Sequence, residues 1–230
     1  MRVVSGKGPK PVQGPGSDAF KFEPSLCARC NNERSQPFDL AYDTFTNYLR
    51  DNETMVFRGN RTLNLSAIWA NWQQSAVDLL RYYTKHIGCR LAEAHVEVRP
   101  EVISFLDDQG PMQSLAFMLE VRRDIVAMTK YFTKKDGYFP SLWIGDLAGF
   151  KDAQTGDLER IESFHGYRWL RTNWVYDDSI PAEPNPFPTP EYELGTDYNV
   201  NPLGMRLVLA VGARPRLAAI VAKLQGRSLN

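Results

Sequence analysis

The stretch Leu26-Cys27-Ala28-Arg29-Cys30-Asn31-Asn32-Glu33-Arg34-Ser35, followed by the run from Phe38 to Leu49, decides how this chain is read. Two cysteines two residues apart can turn the backbone into a knuckle, so that both thiolates face one metal ion. Zn²⁺ takes such soft ligands in a tetrahedral cage. After the knuckle come two amides, an acid and a base. Ser35 then stands where a helix cap belongs, and Pro37 fits the first turn, where its missing N–H costs little. Phe38, Ala41, Tyr42, Phe45, Tyr48 and Leu49 recur at spacings of three and four, which predicts an amphipathic helix. Asp39 and Asp43 share one face of it, and the expectation is that both are solvated.

A structural Zn²⁺ needs four ligands, and Cys27 and Cys30 supply two. The one further pair is His86-Ile87-Gly88-Cys89, with the same two-residue gap and a glycine able to give a knuckle its bend. Cys27, Cys30, His86 and Cys89 are therefore the candidate metal ligands. The alternative is a helix-end histidine beside a buried free thiol. Redox use of Cys27 and Cys30 has less support, since no thioredoxin-like βαβ pattern surrounds them.

Cys27-Ala28-Arg29-Cys30-Asn31-Asn32-Glu33-Arg34 resembles the second knuckle and helix start of the HNH endonucleases, the ββα-metal nucleases. The resemblance covers about residues 22 to 50. It implies metal-dependent hydrolysis of phosphodiesters in DNA. It places Asn31 at the metal-facing position and Arg34 beside the phosphate, with Mg²⁺ or Mn²⁺ as the catalytic ion and Zn²⁺ as the structural one. The chain departs from that pattern upstream. No Cys precedes Cys27, and no His precedes His86, so the family's general-base histidine has no counterpart before the knuckle. Loss of a general base costs a factor of about 10²–10⁴. Either the first half of the site lies upstream of Met1 or the chain is a degenerate relative. The rival reading is a zinc-stabilised, non-catalytic binding module for protein or nucleic acid. A third makes the knuckle a structural relic.

Outward from this stretch, residues 1–24 are rich in Gly and Pro and predict a flexible segment, with a short strand at Val3-Val4. Residues 25–52 form the knuckle and helix, 53–135 a helical region and 136–230 a β-rich region. Arg58-Gly59-Asn60-Arg61 reads as a turn. Ser66 is a plausible cap for a second helix. Ile68, Trp69, Trp72, Ala76, Leu79, Leu80, Tyr83 and Ile87 form its apolar stripe, with both Trp in the core and Gly88 ending or bending it. Pro100 opens a short helix through Leu106. Leu115 to Met128 fits strand or helix, and its length favours helix. Tyr138 to Ile144 and Tyr167 to Tyr176 read as strands, the latter with two usable faces. His95 is placed on a short strand and His165 in a turn. Pro181, Pro184, Pro186, Pro188 and Pro190 stiffen a connection. Gly195-Thr196-Asp197 suggests a hairpin turn, Met205–Val211 a strand, and Pro215 the start of a last helix.

The class is α+β: a knuckle and helix packed on helices, then a β-rich C-terminal half. Lys plus Arg equals Asp plus Glu at 27 each, so net charge gives no support for nucleic-acid binding, although a local basic patch is compatible with it. Arg122-Arg123 and Lys134-Lys135 are such patches, with solvated faces as their simpler explanation. Three cysteines, no apolar leader and no long apolar run point to a reducing compartment, the cytoplasm, and away from a membrane.

Overall fold

The computed structural model describes residues 29–122, 142–184 and 186–196. Expectations for residues 1–28, Arg123, Lys134-Lys135, Tyr138-Phe139, Met205–Val211 and the helix from Pro215 lie outside the described residues.

A single π turn, Cys30–Arg34, leads into helix α1 (Gln36–Asp51), followed by α2 (Glu53–Phe57). Strand β1 (Thr62–Asn64) and helix α3 (Leu65–Ile68) precede the longest helix, α4 (Trp72–Glu93). Helix α5 (Pro100–Leu106) precedes β2 (Leu115–Val121), β3 (Leu142–Ile144) and β4 (Ala148–Lys151). Strands β5 (Leu158–Tyr167), β6 (Leu170–Asp177), β7 (Glu191–Glu193) and β8 (Gly195–Thr196) complete the order. The main sheet runs β3-β5-β6-β2-β8, with β4 also on β5; β1 and β7 form a separate pair. All pairings are antiparallel except β2 with β8.

The mixed α+β architecture and the β-rich C-terminal half agree with the sequence. Helix α1 buries Phe38, Ala41, Phe45 and Leu49, the periodic positions named above. Helix α4 buries Ala76, Leu79, Leu80, Tyr83, Ile87 and Leu91. In β6, Leu170, Thr172, Trp174 and Tyr176 are buried and alternate with half-buried Arg171, Asn173, Val175 and Asp177, so the strand does have two faces. Their cross-strand partners on β2 are Val121, Leu119, Phe117 and Leu115, which therefore share the inner face. Trp69 is buried and Trp72 packs against the same core, as expected of core tryptophans.

Several local readings are corrected. Leu115–Val121 is a strand, because pairing with β6 along its whole length outweighs its helical spacing. The region from 53 to 135 thus contains strand as well as helix. The apolar stripe from Ile68 to Ile87 is divided. Asn64 caps α3 by accepting from the N–H groups of Ser66 and Ala67, and the chain extends at Trp69 before α4 begins. Gly88 does not end α4, since buried Ile87 and Leu91 on either side outweigh the roughly 1 kcal/mol helix penalty of glycine. His95 follows α4 with a φ of 57° rather than lying on a strand. His165 lies within β5, not in a turn. Gly195-Thr196 continues the main sheet parallel to β2 instead of turning a hairpin.

The β5–β6 turn is Arg168-Trp169, with Tyr167 paired to Leu170. Arg168 has a φ of 50°, as tight hairpins require of at least one residue. Its guanidinium donates twice to Glu53 on α2, at 3.1 and 2.8 Å, while Trp169 is fully buried. The hairpin tip is thereby fixed to the helical layer.

Candidate nucleic-acid interface

The π turn Cys30–Arg34 presents Asn31, Asn32, Glu33 and Arg34 to solvent, four exposed residues in a row. Ser35 closes it. The Ser35 hydroxyl donates to the Asn31 carbonyl at 2.6 Å instead of accepting as a helix cap, while the Ser35 carbonyl accepts from the N–H groups of Phe38 and Asp39. Ser35 is buried, so its hydroxyl must be partnered. Lys85 of α4 meets that need: its Nζ donates to Ser35 Oγ at 3.0 Å and to Asp39 Oδ1 at 2.7 Å. Asp39 is therefore engaged rather than simply solvated, while Asp43 is exposed as expected.

A second anchor comes from α5. Arg34 Nη2 lies 2.8 Å from Asp107 Oδ1, just beyond the last turn. Behind it, buried Arg81 bonds the Phe105 carbonyl, Asp78 and Asp108, with its guanidinium 5.3 Å from the Phe105 ring and 5.9 Å from Phe38. The C-terminal end of the turn is thus fixed through Arg34 and Ser35, with the Asn31 amide and part of the Arg34 guanidinium exposed and the Arg29 guanidinium exposed just before it. Arg29 lies 3.7 Å from Glu33 in an exposed pair. Such a surface can hydrogen-bond phosphate oxygens and position a backbone, and its one carboxylate, Glu33, is exposed beside Arg29.

The histidines lie elsewhere. Tyr42 stacks on Tyr82 at 3.9 Å, and Tyr82 sits 4.5 Å from the His86 ring. Tyr83 lies 5.8 Å from His165, which is 6.4 Å from both His86 and Trp174. Burial pushes His86 down to about 4, with Lys85 acting in the same direction, and holds His165 well below the ordinary value. Burial raises Tyr42 and Tyr82 well above 10 and Tyr83 to about 12. The cluster is uncharged at neutral pH, and imidazoles of such low proton affinity are weak bases.

Of the sequence-derived candidates, the structure places Asn31 and Arg34 on one exposed turn. Cys27 lies outside the described residues, and Cys30 opens the turn through its backbone. His86 and Cys89 are one turn apart on an uninterrupted helix, with Cys89 a buried free thiol, so the knuckle-like bend expected at Gly88 is not formed. Among the described residues no three His, Cys, Asp or Glu side chains gather to hold a metal ion. Sequence reasoning missed Lys85, Arg90, Asp107 and His165. The one signal for the first two was the placement of cations on α4 close to its apolar stripe.

No helix among the described residues is long and apolar enough to cross a membrane. Comparison with protein-family models, with curated proteins and with solved structures finds no match for this chain.

Proposed function

We propose that this chain is an HNH-nuclease-like protein of the cytoplasm that engages the phosphodiester backbone of DNA through the turn Asn31–Arg34. The observation that carries the reading is the mounting of that turn. Four exposed side chains stand on a base fixed by Lys85 and Asp107, with an amide and a guanidinium outward. Hydrolysis in such proteins requires a divalent ion, Mg²⁺ or Mn²⁺. The residues described here supply neither an evident cage for that ion nor a strong base.

The second reading, a non-catalytic binding module, is favoured by the state of the histidines. His86 and His165 are held neutral among aromatic rings and offer little proton affinity for water activation. Its expected Zn²⁺, on Cys27 and Cys30 with His86 and Cys89, is tested by metal analysis of the purified protein.

Plasmid nicking with Mg²⁺ or Mn²⁺, together with duplex binding by fluorescence anisotropy, separates the readings. Nicking that disappears in Asn31→Ala supports the nuclease. Arg34-dependent binding without nicking supports the module. Absence of both nicking and duplex binding overturns the nuclease and the nucleic-acid form of the module.

A further inference from the structure

We propose that Arg90, Ser163, His165 and Trp174 form an internal binding site for a small oxyanion, a phosphate or carboxylate group. This inference is independent of the reading of the Asn31–Arg34 turn. It starts from Arg90 on α4. Arg90 Nη1 donates to Ser163 Oγ at 3.1 Å, Nη2 donates to the Gly145 carbonyl, and the guanidinium stands 5.7 Å from the Trp174 ring. Those oxygen acceptors are neutral. Arg34, Arg81, Arg99, Arg160, Arg168 and Arg171 each pair with a carboxylate, whereas Arg90 has no such pair among the described residues. Asp146 and Glu93 act on it only at longer range, and burial outweighs them, bringing its pKa down to about 10. A guanidinium taken out of water without an anion is costly, and its fork of N–H groups matches an oxyanion in shape.

The second observation is independent of Arg90. Both ring nitrogens of His165 and the Trp174 indole nitrogen are closed to solvent and have no hydrogen-bond partner. A neutral imidazole carries one N–H, and an indole carries one. Ser163 Oγ already donates to the Gly145 carbonyl at 2.9 Å. Ser163 faces Trp174 across the β5–β6 ladder, and His165 follows two residues along the same face of β5. One corner of the fold therefore gathers a guanidinium with two donors unpartnered beside it, an imidazole N–H and an indole N–H. Buried donors in native proteins are satisfied, and an anion satisfies several at once. Arg90 is itself only half-buried.

The other charged and titratable groups acting here are Lys85, His86 and Glu93 of α4, Asp39 of α1, Tyr83 beside the ring, and Asp146 between β3 and β4. The test is proton–nitrogen NMR of the histidine rings in the full chain. Inorganic phosphate and acetate are titrated separately against chloride at equal ionic strength.

The expected result is a saturable shift of the His165 resonances. Response to phosphate alone identifies a phosphate group as the ligand chemistry, and response to acetate alone identifies a carboxylate. Arg90→Gln, with its fold checked by circular dichroism, is expected to weaken binding about tenfold or more. If Arg90→Gln does not fold, the anion-dependent rise in Tm is compared between wild type and His165→Gln, and only the wild type should show it. No saturable shift with either anion, an undiminished response in folded Arg90→Gln, or an equal rise in Tm in His165→Gln overturns the proposal.

Discussion

Lys85 and Asp39 provide the sharpest test of how the exposed turn is held. The Lys85 side chain is only 9% exposed, whereas the Asp39 side chain is 43% exposed, with 2.7 Å between Nζ and Oδ1. At that distance and an effective dielectric constant of about 20, the attraction is about 6 kcal/mol. Water around the half-open carboxylate screens it, and burying the ammonium takes back much of the rest. A net coupling of about 1–3 kcal/mol remains, above an exposed pair and below a sealed one. Urea unfolding of Asp39→Ala, Lys85→Met and the double variant measures it as a thermodynamic cycle. Asp39→Ala alone should cost about 2 kcal/mol or more, because it leaves the ammonium buried with Ser35 Oγ as its remaining hydrogen-bond partner and the Tyr82 ring 5.7 Å away. The double variant should be more stable than Asp39→Ala, since methionine fills the same space without a charge. Additive effects to within about 0.5 kcal/mol would refute the reasoning and show that the pair does not pin α1 to α4.

His86 titrates at about 4 in the folded protein against an ordinary 6.5, and His165 is shifted the same way. Their contribution is therefore complete above pH 6.5 and is lost as the pH falls toward 4, by at most about 3 kcal/mol for His86. Urea midpoints should drop across that window, and the drop should shrink in His165→Phe; an equal drop would contradict it. A Cβ on Gly145 would lie 2.5 Å from the Phe164 ring, so Gly145→Ala should lower stability by about 1–3 kcal/mol, read as a fall in Tm. Asp107→Asn releases Arg34 and removes a negative charge, so duplex affinity should rise about two- to five-fold by anisotropy.

The parts legible in the sequence were those where one period dominates. Phe38 to Leu49 and Ala76 to Ile87 have a helical stripe that tertiary packing reinforces, and Leu170 to Tyr176 alternates as a strand does. Leu115–Val121 was not legible, because its apolar residues satisfy both periods and only pairing with β6 resolves them. Gly88 misled because a local breaker is overridden by burial on both sides. For the candidate site, the short motif located an exposed turn but could not show its supports. Lys85 is 46 residues from Asp39 in sequence, and no local rule joins them. His165 read as a turn residue because Gly166 follows it. Its burial depends on packing from α4, which period-2 reasoning does not reach.

The salt dependence of duplex binding tests the role of the Asn31–Arg34 turn most directly. Anisotropy titrations from 50 to 200 mM salt give the number of phosphates engaged, through the slope of log K against log salt. The expected result is measurable binding whose slope falls in magnitude by about 1 in Arg34→Ala, with affinity lowered similarly across DNA sequences. Wild-type protein that fails to bind duplex, or a slope and affinity unchanged by Arg34→Ala, would contradict a phosphate-facing turn.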